Sequence, residues 1–361
     1  MTDTTFSAEE LEQLEVMLDM ANGQMGDSIA MLARWAEDDD SITAATLTRV
    51  DPSGAEIAID PARTIRLDFT TPMEGLHDLP PSMGGLLEVA RLARPHEPIT
   101  KMEELLDHDH SDMRLSSCTI TAVETLSPRL KAISVRGLDG VPDLGTDQSV
   151  ALIIDLPGRP IPDGLDAEAY LEMEYEDRPK AATYSIREID PAAGTATFWV
   201  MTHGDDPATV SGWATTAAAG DELAVLGPHE GITDVGAVRS FVGVCDETAF
   251  AAVAATVEAL PAEVGVRIVA EVEEPGHEID LTDRPGVEVT WSYRSEAGID
   301  APYALAAAVR AEITEADDGV FVMGAGESRC LTQVRKYLRH EVGMAASQVS
   351  LIPYWRRTEP A

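Results

Sequence analysis

The apolar positions of this chain change period several times, and each change predicts a different kind of element. The opening stretch is acidic and amphipathic, and Ser7 followed by Glu10 has capping-box spacing, which predicts a helix over about 8–20. In "GDSIAMLARWAE", Ile29, Leu32 and Trp35 fall on one face of a second helix. "SITAATLTRVDPSGAEIAID" alternates and breaks at Asp51-Pro52-Ser53-Gly54, the signature of a β-hairpin. "TIRLDF" adds a strand and "PSMGGLLEVARLAR" a helix, so residues 1–100 read as a small α+β domain without a catalytic cluster. The pattern then weakens, and residues 101–115 read as a linker. Asp107, His108, Asp109, His110 and Asp112 lie there, and we read them as solvated linker. Alternate ligands on a flexible stretch make a poorly preorganised metal site.

From Cys118 the period becomes two. "CTITAVETLSPRLKAISVRG", "QSVALIIDLP", "YLEMEYE", "ATYSIREID", "TATFWVMTHG" and "DELAVLGP" are short strands with turns at Gly and Pro, which predicts an antiparallel β-barrel over 116–232. Near residue 235 strands begin to alternate with helices. "VRSFVGVCDETAFAAVAATVEALP" is strand, turn and helix; "GVRIVAEVEE" and "VEVTWSYRS" are strands. Helix "YALAAAVRAEI", strand "GVFVMGAGES", helix "CLTQVRKYLRHEVG" and strand "QVSLIPYW" follow. Such alternation predicts a parallel sheet with flanking helices over 233–361, an α/β domain. The chain is therefore expected to be multidomain.

Charge narrows the function classes. With 26 Lys+Arg against 64 Asp+Glu, the 361-residue chain carries a formal charge of −38. Nucleic-acid binding is disfavoured, since neutralising phosphates takes clustered cations. The acidity itself reads as a solubility trait. No export signal and no membrane-spanning apolar run is evident, so a cytoplasmic protein without membrane insertion is expected. Cys118, Cys245 and Cys330 are odd in number and far apart, which leaves neither a disulfide framework nor a four-thiolate cluster.

Against that charge, two local concentrations of cations stand out. "RPKAATYSIREID" gathers Arg178, Lys180 and Arg187 around Tyr184 and Ser185, and residues 329–361 hold six cations against Glu341 and Glu359. Both predict recognition of an anion, although cations also favour the C-terminal end of the helix that holds Arg335. Asp246, Glu247 and Thr248 open a helix after the first strand of the α/β region, where they serve either as caps or as receivers of phosphate or ribose. Gly324 and Gly326 form a glycine turn before Glu327. It follows the last strand but one, so it is not a Rossmann fingerprint, but it would let a nucleotide approach the backbone.

The segment from about 118 to 357 resembles the siderophore-interacting proteins, the FAD-dependent ferric-siderophore reductase branch of the ferredoxin–NADP reductase superfamily. Four stretches carry this in order: "ATYSIR", "FWVMTHGDD" with "SGWATTAAAGDELAVLGPHEG", "VCDETAF", and "GAGESRCLTQVRKYLRHEVG" with "YWRR". Two positions depart from the family pattern: Ala182 stands where the flavin motif has its first Arg, and Cys245 where a Gly is usual, an added side chain on the nicotinamide side. The first hundred residues resemble the small α+β domain attached to haem-utilisation and flavin split-barrel proteins, without the His that such openings carry near Asp27.

The resemblance implies FAD as cofactor, NADPH or NADH as reductant and a ferric siderophore as substrate. Tyr184 would lie against the isoalloxazine ring and Ser185 near its N5, as the catalytic pair. Arg178, Lys180, Thr183, Arg187, Met201, His203 and Ser211 would contribute to the flavin site, with Trp213 read as core. Asp246, Glu247, Thr248, Gly324, Gly326 and Glu327 would serve the nucleotide. Arg335, Trp355, Arg356 and Arg357 would meet the nucleotide phosphate or an anionic siderophore. Two alternatives stay open: a generic NAD(P)H:flavin or ferric reductase, and a non-catalytic module binding siderophore or haem. Oligomeric state is not readable.

Overall fold

The structure is a computed structural model and describes residues 6–106, 113–156, 159–174, 177–204, 206, 209–229, 235, 238–297 and 303–357. The described residues fall into two compact units, one within Met1–Asp109 and Ala345–Ser350, the other within His110–Met344 and Leu351–Ala361.

The first unit packs helices α1 (Ala8–Gln24), α2 (Gly26–Glu37) and α3 (Leu79–Ala93) with an antiparallel meander of β1 (Thr46–Asp51), β2 (Gly54–Asp60) and β3 (Arg63–Asp68). The capping box forms: Glu10 N–H donates to Ser7 Oγ at 3.2 Å and Ser7 N–H to Glu10 Oε2 at 2.8 Å. Ile29, Leu32, Leu47, Ile57 and Leu87 meet in one apolar core. Residues Lys101–Leu106, within the expected linker, form helix α4. The signal there is tertiary. Asp27 and Ser28 at the start of α2 accept the Lys101 and Met102 N–H groups, and Arg91 pairs with Glu103. The Asp107–Asp112 cluster lies outside the described residues.

The second unit opens with six strands closed into an antiparallel barrel. These are β4 (Arg114–Ser127), β5 (Leu130–Arg136), β6 (Ser149–Ile154), β7 (Lys180–Asp190), β8 (Thr195–Met201) and β9 (Glu222–His229), in the order β4-β5-β8-β7-β6-β9. Inward residues such as Ile133, Val150, Leu152, Phe198 and Val225 fill it. "YLEMEYE", expected as a strand, instead begins inside helix α5 (Ala167–Glu172). Asp166 caps that helix by accepting the Ala169 N–H, and Tyr170 is buried on its inner face, so one polar residue ahead of the run outweighs its alternation. A second short helix, α6 (Val210–Thr216), follows β8 and is capped by Thr209.

Five further strands form an α/β sheet ordered β12-β11-β10-β13-β14, from β10 (Ser240–Asp246), β11 (Gly265–Val272), β12 (Glu288–Tyr293), β13 (Val320–Glu327) and β14 (Val349–Trp355). The pairs β10–β11, β10–β13 and β11–β12 are parallel. Helices α7 (Phe250–Ala259), α8 (Ala304–Glu312) and α9 (Ser328–Lys336) accompany it. Barrel and sheet share an apolar layer in which Leu130, from the β4–β5 hairpin, is buried with Phe241, Phe250 and Val272, and Trp199 and Met201 pack alongside.

Two features fix the carboxyl edge of this sheet. At Gly324 an added Cβ would lie 1.9 Å from the Val244 carbonyl oxygen on the neighbouring strand, so only glycine fits. Beyond the ends of β10, β11 and β12, the buried Arg294 guanidinium is shared by Glu247 (2.6 Å), Glu271 (3.0 Å) and Glu273 (3.3 Å). Burial pushes the Glu247 and Glu271 carboxyls above their ordinary range, and Arg294 pulls them back.

Gly324→Ala is expected to cost about 3 kcal/mol from overpacking against backbone, a melting-temperature drop of about 6–12 °C. Gly85→Ala, where nothing lies within 4 Å of the added atom, should be neutral or stabilising in the same thermal scan. Arg294→Leu strands two buried carboxylates and should cost about 3–5 kcal/mol near neutral pH. The sign of its pH dependence follows from linkage. A carboxyl with a higher pKa folded than unfolded binds more protons in the folded state, so stability falls as pH rises above the unfolded value of about 4.3. The deficit of Arg294→Leu relative to the parent should therefore be smaller at pH 5 than at pH 8. Equal deficits at the two pH values would contradict it.

Candidate functional site

A cavity of about 340 Å³ opens between the barrel and the last strand of the sheet. Ala182, Thr183, Tyr184 and Ser185 of β7 line it, with Ser149 of β6, Trp199 and Met201 of β8, His203 just beyond β8, Thr248, and Pro353 and Tyr354 of β14. Antiparallel register explains the first group: Ser149 lies opposite Ser185 and Val150 opposite Tyr184, so the central stretch of β7 is held flat along one wall. Ala182 and Tyr184 pack toward the barrel core, while Ser185 is buried and bonds across the cavity. Its Oγ lies 3.0 Å from Tyr354 Oη, which is also 3.5 Å from Asp147 Oδ1. Burial pushes the Tyr184 phenol up to about 12 and the Tyr354 phenol well above its ordinary value, so both remain neutral donors.

The cations around Tyr184 and Ser185 divide sharply. Arg178 is committed to helix α5: its Nε donates to the Met173 carbonyl (2.8 Å) and its Nη2 to the Leu171 carbonyl (2.6 Å), with the guanidinium 5.6 Å from the Tyr170 ring centroid. Arg187 is the bulged residue of β7, because Ile186 and Glu188 face Phe198 and Thr197 in succession on β8. The bulge aims it away from the cavity. It makes a two-pronged ion pair with Glu258 of α7 (2.6 and 2.8 Å) and lies 5.0 Å from the centroid of Trp199. Neither arginine lines the cavity, which corrects the expectation that both serve an anionic ligand. Lys180 is exposed, two residues before Ala182 and so on the same side of the strand.

Ser211 is likewise occupied. Its Oγ accepts from His203 N–H at 2.6 Å and donates to the His203 carbonyl at 2.9 Å, so it fixes the turn that carries His203 to the cavity wall. Trp213 packs against the barrel core, as expected.

The residues expected to serve the nucleotide lie at the carboxyl edge of the sheet, and of these Thr248 alone lines the cavity. Thr248 is held by Asp246, whose Oδ1 accepts its N–H (2.9 Å) and its hydroxyl (2.5 Å). Asp246 Oδ2 accepts from Glu327 N–H (3.0 Å) and Trp355 Nε1 (2.7 Å). Glu247 is buried on Arg294 and is not presented to a ligand. Gly326, at φ +154, gives way to Asp246: an added Cβ would sit 2.7 Å from Oδ2. Gly324 answers to strand packing. Glu327 caps α9 by accepting Cys330 N–H and also accepts Arg357 N–H at 3.1 Å.

Arg335 is a correction: at 5% exposure it donates to the Leu351 carbonyl inside the unit and is not presented to an anionic ligand. Trp355 is tied to Asp246, Arg356 is half-buried, and the Arg357 side chain is exposed. Cys245 is fully buried in the apolar layer with Phe241 and Phe250 and does not line the cavity. All three cysteines are buried and unbridged. Among the described residues no helix is long and apolar enough to cross a membrane.

Sequence reading missed Ser149, Trp199, Pro353 and Tyr354 as cavity residues, and the ion cluster of Glu271 and Arg294. A signal for the cluster existed, since charged residues near the ends of otherwise apolar parallel strands mark the carboxyl edge. For Ser149 there was none.

Comparison with known proteins follows the same division. The profile of the siderophore-interacting FAD-binding domain matches residues 119–232, and that of the siderophore-interacting protein matches 238–358; the first 118 residues lie outside both. An uncharacterized protein of Mycobacterium tuberculosis is 29% identical over 259 residues, which is 67% of this chain and 90% of its own. Ferric vibriobactin reductase ViuB of Vibrio cholerae is 22% identical over 182 residues, 50% of this chain and 66% of its own. Among solved structures, a siderophore utilization protein from T. fusca superposes with a TM-score of 0.57 at 27% identity, covering 69% of this chain and 95% of that one. The siderophore-interacting protein SipS from Aeromonas hydrophila gives 0.54 at 22% identity, covering 69% and 94%. Since the two profiles match in succession, one on the barrel and one on the sheet that together frame the cavity, this chain belongs to the siderophore-interacting protein family.

Proposed function

We propose that this chain is a cytoplasmic, FAD-containing reductase that uses NAD(P)H to reduce ferric siderophores and release ferrous iron. The observation that carries the reading is the cavity itself, walled by Tyr184 and Ser185 on the barrel side and reached by Thr248 from the carboxyl edge of a parallel sheet. That edge is where open α/β sheets take nucleotides.

The lining fits a planar aromatic ring with polar edges. Tyr184, Trp199, Met201 and Pro353 offer apolar faces, and Ser149, Thr183, Ser185 and His203 offer donors and acceptors along the rim. The diphosphate end has Ala182 where an Arg is usual. With Arg178 and Arg187 committed elsewhere, Lys180 is the cation left on that side of β7, and we assign it to the diphosphate. When bound, FAD supplies two-electron acceptance from a nicotinamide and one-electron donation to ferric iron. Ser185, held by Tyr354, orients the reactive edge of the ring with its hydroxyl. Trp199, Met201 and Pro353 would give the ring apolar surface to lie against. The chain contributes orientation, and reduction by itself loosens the metal without a general acid, because hard oxygen ligands grip ferric iron more firmly than the softer ferrous iron.

Ala182 favours a second reading, a siderophore-binding module that does not retain flavin. The visible spectrum separates the two. The reductase reading expects flavin bands in the protein reconstituted with FAD, bleached by anaerobic NADH or NADPH and restored by a ferric siderophore; a protein that stays colourless in excess FAD supports the module. Lys180→Ala should weaken FAD binding about tenfold, and Ala182→Arg should tighten it by a similar factor, as fits one charge-assisted hydrogen bond. Fluorescence titration reads both constants. Ser185→Ala should retain FAD and slow bleaching about tenfold in stopped flow, the effect of one lost orienting hydrogen bond.

A further inference from the structure

Three side chains of the second unit form a hydrogen-bonded row that starts at the cavity. Ser185 of β7 and Tyr354 of β14 line it, with Ser185 Oγ 3.0 Å from Tyr354 Oη. Asp147 does not line it, and its Oδ1 lies 3.5 Å from the same Tyr354 oxygen. The loop before β6 holds Asp147 in place. Gln148, 2% exposed, accepts the Leu144 N–H on its side-chain oxygen (2.9 Å), donates from Nε2 to the Pro142 carbonyl (3.0 Å) and accepts the Ile186 N–H on its own carbonyl (2.9 Å). Asp147 is itself buried and sits at φ 63, in the left-handed region that Asp and Asn tolerate better than most side chains.

The direction of the two bonds follows from counting protons. A carboxylate only accepts, and a phenol has one proton to give. Placed between a carboxylate and a neutral hydroxyl, the phenol gives it to the carboxylate, because the charge-assisted bond is the stronger and its attraction reaches across the longer separation. Tyr354 therefore donates to Asp147, its oxygen accepts from Ser185, and the Ser185 proton is drawn away from the cavity. What Ser185 turns toward a ligand is a lone pair. An acceptor so placed distinguishes ligands by whether the facing atom carries hydrogen. Hydrogen bonds to its ring nitrogens tune a flavin, whose N5 carries no hydrogen when oxidised and one when reduced.

We propose that Asp147, acting through Tyr354, fixes Ser185 as a hydrogen-bond acceptor that holds reduced flavin more firmly than oxidised flavin and so raises the potential of the site. The inference rests on the reductase reading above, with Ser185 at the N5 edge, and specifies which redox state the site favours. Asp147 is a positioning residue: it sets the polarity of the row and neither gives up a proton nor passes an electron.

The midpoint potential of FAD bound to the full chain, measured by anaerobic titration against a reference dye, tests it. Tyr354→Phe frees the Ser185 proton to turn toward oxidised N5, and should lower the ratio of reduced to oxidised affinity about tenfold, which is a fall of about 30 mV for a two-electron couple. Asp147→Asn keeps the side-chain size and tolerates the same backbone, but its amide donates as well as accepts, so the potential should fall in this variant too. In a Ser185→Ala background neither substitution should move the potential further, since no hydroxyl is left to orient, whereas a general loosening of the wall would still be felt there. An unchanged or raised potential in either single variant, or an equal fall in the Ser185→Ala background, overturns the inference and leaves the reductase reading standing. A native chain that takes up no FAD overturns the two together.

Discussion

The buried Asp246 carboxylate is the point on which the second unit turns. It ends the central strand of the parallel sheet and receives four donors from three places in the chain: Thr248, the Glu327 backbone and the Trp355 indole. A carboxylate out of water is tolerable only when donors replace the water it has lost. Each donor is therefore also a constraint. Thr248 is drawn to the cavity wall, β13 must pass so closely that position 326 is glycine, and the final strand must lie where Trp355 can reach. The carboxylate is a structural hub here, and its neighbour Glu247 is given over to Arg294.

How the barrel meets the sheet follows the same logic with apolar surface in place of charge. Leu130, Trp199 and Met201 belong to barrel strands yet pack with the apolar layer of the sheet. Around that layer two arginines bind across the boundary: Arg187 to Glu258 and Arg129 to Glu273. Trp199 does double duty, lining the cavity and carrying the Arg187 guanidinium near its ring. An arginine that looks from sequence like a ligand for phosphate thus positions a wall of the site.

Most of the architecture was legible because local pattern and global fold agree. The capping box at Ser7, the break at Asp51-Pro52-Ser53-Gly54 and the switch from period two to strand–helix alternation near 235 each mark an element that exists. The errors have a common cause. Helix α5 was misread because one capping residue, Asp166, decides it, and α4 because its stabilising groups, Asp27 and Ser28, lie 74 residues away. At the site, Tyr184 and Ser185 were visible and the fate of the cations was not. Sequence shows that Arg178, Arg187 and Arg335 are present; only geometry shows the carbonyls and carboxylates that already occupy them.

The bonds that complete the cavity join residues very far apart in the chain. Ser185 meets Tyr354 across 169 positions, Arg129 meets Glu273 across 144, and Trp355 meets Asp246 across 109. Loop-closure entropy has to be overcome before contacts of that span return any stabilisation, so they belong to the late stages of folding. The barrel alone can be nearly finished while the cavity is still open on one side. Occupation of the cavity is then a report on the whole second unit: a molecule held there by both walls distinguishes the finished unit from a barrel still waiting for its last strand.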